Sequence, residues 1–334
     1  MNQKKTRPRK VTSHDVAERA GVSRAAVSRT FTPDASVSAE TREKVHKAAK
    51  ELGYRVNYLA RSLINQRSDL VGVVAAGLDN PFRTLQIDQL SRTLLAHNFR
   101  PLLLPTSSTA STSDFIEQLL QYSVSGVLVT SDAPPTALCE ECAAYGIPIV
   151  LINKGEDIPF VDRVVSDDKT AGQMAADLLI EGGAERPAVM AAPGVSYTAR
   201  RRLDAFVARC RSLGKTPDIL PIPVNDYTSG FEGAAQLHGT NIDGLFCVND
   251  YLACGVVDRL AKDRTVRKSG PVRVIGHDDI PQASWHAYQL TTILQPCDIQ
   301  AQQAIDLLIS RMEDPGMPAR VEFTAVTMIK RRTA

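Results

Sequence analysis

VTSHDVAERAGVSRAAVSRTF (11–31), then VSAETREKVHKAAKELGY (37–54) and RVNYLARSL (55–63), is the stretch that organises the chain. Thr12 is a good N-cap, and Asp15 three residues on can reach back to the free backbone N–H groups. Val16, Ala17 and Ala20 then share one helical face. Gly21 ends that helix, because glycine alone turns through positive φ without steric cost. Ser23 caps a second helix with Ala26 and Val27 inside, continuing to Phe31, and Arg24, Ala25, Ser28 and Arg29 outside. The small residues Ala17, Ala20 and Ala26 let two short helices cross closely, as a helix that protrudes into a major groove requires. A third helix, capped by Ser38 and stopped by Gly53, buries Val45, Ala48, Ala49 and Leu52.

A helix–glycine–helix pattern alone describes many solvated hairpins. Here the outer face is basic, a basic arm precedes it (Lys4, Lys5, Arg7, Arg9, Lys10), and a third amphipathic helix follows at once. Net charge is only +2, but residues 1–67 carry 15 Lys/Arg against 6 Asp/Glu, so the remainder is acidic. A basic end on an acidic body is the footprint of a nucleic-acid-binding arm.

DVAERAGVSRAAVSR, VSAETREKV, ELGY and N-x-x-A-R-S-L, in this order and spacing, resemble the DNA-binding headpiece of the lactose-repressor (LacI/GalR) family. The resemblance implies that Arg24, Ala25 and Arg29 face bases. Arg can grip guanine O6 and N7 with two hydrogen bonds, and Ala25 can touch a thymine methyl. Thr12, Ser23 and Ser28 suit phosphates, which set register and not sequence. Residues 57–63 resemble the family's hinge, which implies a short helix in the minor groove, capped by Asn57. Ala60 is small enough for a partner hinge, and Leu63 is the wedge between base pairs. Val56 stands where the family usually has proline.

Beyond the hinge, LVGVVAA (70–76), RPLLLP (100–105), GVLVT (126–130) and IPIVLIN (147–153) read as strands. Helices separate them: 81–97, with Leu85, Leu90, Leu94 and Leu95 inward, then 111–122 and 134–146. After FVDRVVSDD (160–168) the alternation repeats, with helices at 169–181, 198–213, 229–238 and 250–263. Strands are expected at PAVMA, DILPI, GLFCV, VRVIG and LTTIL, then a helix at 299–312 and one terminal strand, VEFTAVTMI. Alternation of this kind marks a parallel sheet covered on both faces, here in two similar lobes one after the other. The expected fold is an N-terminal all-α helix-turn-helix headpiece (1–56), a hinge and linker (57–67), and an α/β two-lobed, periplasmic-binding-protein-like effector and dimerisation domain (68–334).

VVAAGLDNPF after the first strand lacks both G-x-G-x-x-G and the GK[ST] ending, so no dinucleotide or nucleotide cofactor is expected. Cys139 and Cys142 form C-x-x-C inside a helical stretch with no second pair or nearby histidine, so no metal is expected. Six scattered cysteines suit a reducing cytoplasm. The basic N-terminus has no apolar segment after it, and no run is long enough to span a bilayer, so neither export nor a membrane partner is expected.

Two such lobes leave a cleft at the carboxyl ends of their strands. DNPF, RRLDAF, FCVND and IGHDDIP resemble motifs of the same family's effector domain. By that resemblance Arg202, Asn249 and Asp278 grip the effector, while Phe82 and Tyr227 pack on its apolar face and Asn153 and Thr198 add polar contacts. A cationic fork, an amide and an acceptor-only carboxylate together suit the adjacent hydroxyls of a sugar or related polyol. Asn249 can equally hold a turn, Asp278 a helix start and Arg202 a solvated face. Arg200 and Arg201 add positive charge that would favour an acidic effector, and His277 replaces the family's usual tyrosine. The expected partners are therefore pseudo-palindromic double-stranded operator DNA, a sugar-like effector and a second copy of the chain. A transporter's solute-binding protein and a sugar-metabolising enzyme are the rivals; the basic headpiece speaks against the first, and the lack of a nucleophile–base motif against the second.

Overall fold

The computed structural model describes residues 11–31, 35–55, 68–106, 112–130, 136–155, 157–193, 196–262 and 271–334. The chain divides into two compact units, Met1–Gln66 and Arg67–Ala334.

In the first unit α1 (Ser13–Ala20) opens with the expected capping box: the Thr12 backbone N–H and hydroxyl both donate to Asp15 Oδ2 at 2.8 Å, and Asp15 N–H donates to Thr12 Oγ1. Gly21 closes it at φ +64°. Ser23 caps α2 (Arg24–Thr30) and Ser38 caps α3 (Ala39–Leu52) through backbone N–H groups three residues on. Val16, Ala17, Val27, Val45, Ala48 and Ala49 form one buried core, edged by Phe31, Leu52 and Tyr54. Arg19 on α1 pairs with Glu51 on α3 at 2.7 Å, and Arg42 on α3 donates to the Thr30 carbonyl at the end of α2. The shared core, with the Arg42 bond at its edge, sets the angle at which α2 is presented.

The second unit has two lobes. Lobe 1 is built on β1 (Leu70–Ala75), β2 (Arg100–Pro105), β3 (Gly126–Val129), β4 (Ile149–Ile152), β5 (Asp162–Ser166) and β11 (Val321–Thr324). All six are parallel, in the order β11-β5-β4-β3-β1-β2. The apolar run of β1 is buried because helices cover both faces. Leu90 and Leu94 of α4 (Pro81–Ala96) and Leu308 of α11 (Cys297–Glu313) pack on one face. Leu119 of α5 (Thr112–Gln121), with Cys139 and Cys142 of α6 (Thr136–Ala144), packs on the other. Burial pushes the Cys142 thiol up to about 12, which keeps it protonated and inert.

Lobe 2 has four parallel strands, β7 (Asp218–Pro221), β6 (Pro187–Ala191), β8 (Gly244–Cys247) and β9 (Arg273–Ile275), in that order. Its helices are α7 (Asp168–Glu181), α8 (Tyr197–Ser212), α9 (Tyr227–Gly233) and α10 (Asp250–Lys262). An antiparallel pair, β10 (Thr292–Leu294) and β12 (Thr327–Ile329), completes it.

Three expectations are corrected. The lobes are interleaved and not consecutive: α11 and β11 return to lobe 1 after lobe 2 is built. The single terminal strand is two strands in different sheets, because the chain crosses between lobes at Ala325 and Val326. Leu95 is exposed, since α4 buries the Leu90 and Leu94 stripe and Leu95 lies off it.

Candidate functional site

Arg24, Ala25, Ser28 and Arg29 are all exposed on one side of α2, opposite buried Val27 and Thr30. This presents a basic, small-residue face on a helix whose position is fixed by its core. The Thr12 and Ser23 hydroxyls both serve as helix caps. Asn57, Ala60 and Leu63, like Val56 and the basic arm, lie outside the described residues.

Between the two lobes lies a cavity of about 570 Å³, within the usual range for small-molecule sites. Six of the expected residues line it: Phe82 and Asn153 from lobe 1, and Thr198, Arg202, Asn249 and Asp278 from lobe 2. All but Arg202, which is in the second turn of α8, come from the carboxyl end of a strand or the helix start that follows. Phe82 is in the first turn of α4, behind the Asn80 cap, and packs against the apolar cluster of lobe 2. Asn153 follows β4 in a left-handed conformation, φ +59°, which its short amide side chain tolerates.

Tyr227 is not among the lining residues. Its hydroxyl donates to Asp258 at 2.6 Å, and its ring packs beside Phe231 and Tyr251. The tyrosine in the wall is Tyr251, and it joins Phe82 as an aromatic lining residue. Nor do Arg200 and Arg201 enter the cavity. Arg200 is exposed and paired with Asp204; Arg201 lies over the Tyr197 ring and donates to its hydroxyl. The acidic-effector expectation loses its support.

Arg202 is the centre of the lobe 2 wall. It is 5% exposed, and its Nε donates to Asp168 Oδ1 at 2.7 Å. One Nη donates to the Val248 carbonyl at 2.9 Å and lies 3.8 Å from Asp278 Oδ1. Close helix packing makes this possible: a Cβ on Gly172 of α7 would fall 2.4 Å from the Arg202 carbonyl oxygen on α8. Asp168 itself is fully buried, and burial pushes its carboxyl up to about 6 despite the guanidinium beside it.

Asp278 has φ +125° and Asp279 φ +55°, a strained pair for non-glycine residues. Backbone bonds from Asp278 N–H to the Ile293 carbonyl and from Asp250 N–H to the His277 carbonyl hold the loop there. Buried Asp250 adds two more, accepting from Ile280 N–H and the Thr292 hydroxyl. Burial, followed by the charge of Asp278, pushes the Asp250 carboxyl up to about 8. His277 is fully buried with Nδ1 3.0 Å from Asp278 Oδ1; burial, then Arg202, lowers it to about 4, so the ring is neutral. Asn249 accepts Leu252 N–H at the start of α10 and donates to the Asn225 carbonyl, so it holds a turn and lines the cavity at once.

Sequence reasoning missed Gln86, Thr130, Asn225, Asp226 and Gln295 in the lining, and Asp168 behind it. Gln295 followed a legible strand, and Asn225-Asp226 preceded a legible helix; the polar residue nearest each strand end was the available signal.

Residues 12–57 match "Bacterial regulatory proteins, lacI family", and residues 68–333 match "Periplasmic binding proteins and sugar binding domain of LacI family". The chain belongs to the LacI family. The ribose operon repressor of Escherichia coli (strain K12) is 30% identical over 324 residues, covering 95% of this chain and 98% of that protein. The sucrose operon repressor of Pediococcus pentosaceus is 28% identical, over 96% and 98% of the two chains. Among solved structures, the Lac repressor bound to ONPG superposes with a TM-score of 0.84 at 23% identity, covering 98% of this chain and 100% of that one. This LacI-family chain is thus an effector-responsive, DNA-binding transcriptional regulator and not a transporter's binding protein. Members of the family are regulators and not enzymes. No helix among the described residues is long and apolar enough to cross a membrane.

Proposed function

We propose that the protein is a homodimeric repressor whose operator affinity is set by a neutral, polyhydroxylated effector, such as a sugar, seated between the lobes. The headpiece (1–56) reads a pseudo-palindromic operator, one half-site per protomer, with Arg24, Ala25 and Arg29 on bases. The hinge (57–67) wedges the minor groove, and the domain at 68–334 senses the effector and dimerises. The protein works in the cytoplasm, at the chromosome.

The charge of the cavity carries the effector class. Two guanidinium groups, Arg83 and Arg202, face three carboxylates, Asp79, Asp226 and Asp278, and Asp168 already neutralises Arg202 from behind. An anion entering this wall gains no net positive charge, whereas hydroxyl groups find both fork donors and carboxylate acceptors. The sugar-repressor names of the relatives point the same way.

The test is calorimetric titration of the full-length protein with neutral pentoses, hexoses and disaccharides beside the matching sugar acids and sugar phosphates. The expected result is saturable binding of a neutral sugar, lost in Asp278→Ala, and a change in affinity for operator DNA selected from a random pool. Tighter binding of an acid or phosphate than of its neutral parent would overturn the effector class.

A further inference from the structure

Gln86 is an amide on an otherwise apolar stripe of α4, 2% exposed, in the lobe 1 wall of the cavity. Its Nε2 donates to Gln300 Oε1 on α11 at 3.1 Å. Gln300 is fully buried, and its Nε2 donates to the Ser166 hydroxyl at 2.7 Å. That hydroxyl donates to Gln295 Oε1 at 2.5 Å, and Gln295 Nε2 donates to Asp278 Oδ1 at 2.6 Å. Four hydrogen bonds thus run from the lobe 1 wall to the carboxylate of the lobe 2 wall. Ser166 ends β5 and Gln295 follows β10, so the line passes through two of the strands that join the lobes.

The direction of this line is set by chemistry. An ionised carboxylate only accepts. Gln295 must therefore turn its NH₂ toward Asp278, which leaves its carbonyl to accept from Ser166. The serine proton is then spent, so its lone pair takes the Gln300 NH₂, and the Gln300 carbonyl takes that of Gln86. The oxygen left over, Gln86 Oε1, is an acceptor in the cavity wall. Reversing any amide would set two donors or two acceptors face to face in a buried place, and an unsatisfied buried group there costs about 1–3 kcal/mol.

We infer that Gln86 is a specificity-determining effector contact whose acceptor polarity is imposed from Asp278 through Gln300, Ser166 and Gln295. The site then presents acceptors from both lobes to one effector, and selects a molecule with hydrogen-bond donors at both ends. This rests on the neutral-polyol reading above and adds the lobe 1 residue that reads a particular hydroxyl.

The test is a cycle of protein variants against deoxy sugars. The probe is the neutral sugar that binds the full-length protein most tightly, together with its monodeoxy and O-methyl analogues. Gln86→Leu should weaken the parent sugar about three- to tenfold and leave one deoxy analogue bound as in the wild type. Gln300→Leu, which touches no cavity surface, releases the Gln86 amide to rotate. It should weaken the parent less and reduce discrimination against the O-methyl analogue at the same hydroxyl. Thermal melts establish that both variants are folded, and Gln86→Met replaces Gln86→Leu where it is not. If a neutral sugar binds the wild type and folded Gln86 variants weaken the parent and every analogue equally, or none, the assignment of Gln86 fails and the effector class stands. If no neutral sugar binds the wild type, the effector class fails and takes this inference with it.

Discussion

Replacing His277 with glutamine should make the stability of lobe 2 respond differently to acid, by an amount the structure fixes. In the folded chain the imidazole is fully buried and lowered from 6.5 to about 4, first by loss of solvent and then by the Arg202 charge. In the unfolded chain it titrates near its ordinary value of roughly 6.5. A depressed folded pKa stabilises above the unfolded value, and that stability is lost as pH falls through the folded value. Between pH 6.5 and 4 the unfolded state binds the extra proton. At about 1.4 kcal/mol per pH decade the loss amounts to about 3 kcal/mol. Asp168 works against it: raised to about 6, it favours the folded state as pH falls toward 4, so the wild-type curve alone hides both effects. The difference between wild type and His277→Gln isolates the histidine. Urea melts of the full chain at pH 4 to 8 can be followed by the single Trp, Trp285, which stacks on Tyr288 in the same lobe. The wild-type advantage should be constant above pH 6.5 and shrink by about 3 kcal/mol by pH 4. An advantage that stays constant, or grows in acid, would show that the ring is charged or solvated in the folded state.

Arg24→Ala and Arg29→Ala should each cost about 1–3 kcal/mol of operator affinity, measured by fluorescence anisotropy on a selected operator, and relax the sequence preference. Binding that weakens equally on all sequences would reassign them to phosphates. Asp278→Ala should abolish the effector's thermal protection; at a ligand concentration 100-fold above Kd the wild type gains about 2.7 kcal/mol. Full protection of the variant would remove Asp278 from the site. Asp162, fully buried, accepts from Arg311 at 2.8 Å and Arg320 at 3.1 Å. Burial raises its carboxyl and the two guanidinium groups outweigh that, holding it below the usual carboxylate range. Asp162→Ala should therefore destabilise the domain by about 3–5 kcal/mol by leaving Arg311 buried without its carboxylate. A loss under about 1 kcal/mol would mean that water reaches Arg311.

What the sequence revealed, it revealed where local chemistry is strong. Thr12, Gly21, Ser23, Ser38 and Gly53 each have one low-energy local role, and all five take it in the structure. The strands of the body are apolar runs between turn residues, and their alternation with helices leaves one architecture. The failures are long-range. VEFTAVTMI reads as one strand because a single alanine in a mostly β-prone run does not signal that the chain changes sheets midway. Asp168 and Gln86 look like ordinary helix residues until Gly172 brings α8 against α7 and Gln300 arrives 214 residues away. Tyr227 failed more finely: its neighbours Asn225 and Asp226 face the cavity, but Asp226 caps α9 and the helix carries the next ring toward Asp258.

The interleaving that the sequence concealed is also what makes an effector response possible. The chain passes between lobes three times, after Ser166, after Gln295 and at Ala325. Crossings of this kind favour a bend between two rigid lobes over a loose tether. An effector gripped only by Arg202, Asn249 and Asp278 would bind an open and a closed pair of lobes equally, and would shift neither state however tightly it bound. On the proposed site, differential affinity has to come from the opposite wall, which Phe82, Gln86, Thr130 and Asn153 line. The lobe 1 contacts of that proposed site therefore decide whether effector binding shifts the balance between lobe angles. Two proteins sharing the lobe 2 triad can bind similar sugars and still respond differently, according to what stands at these four positions.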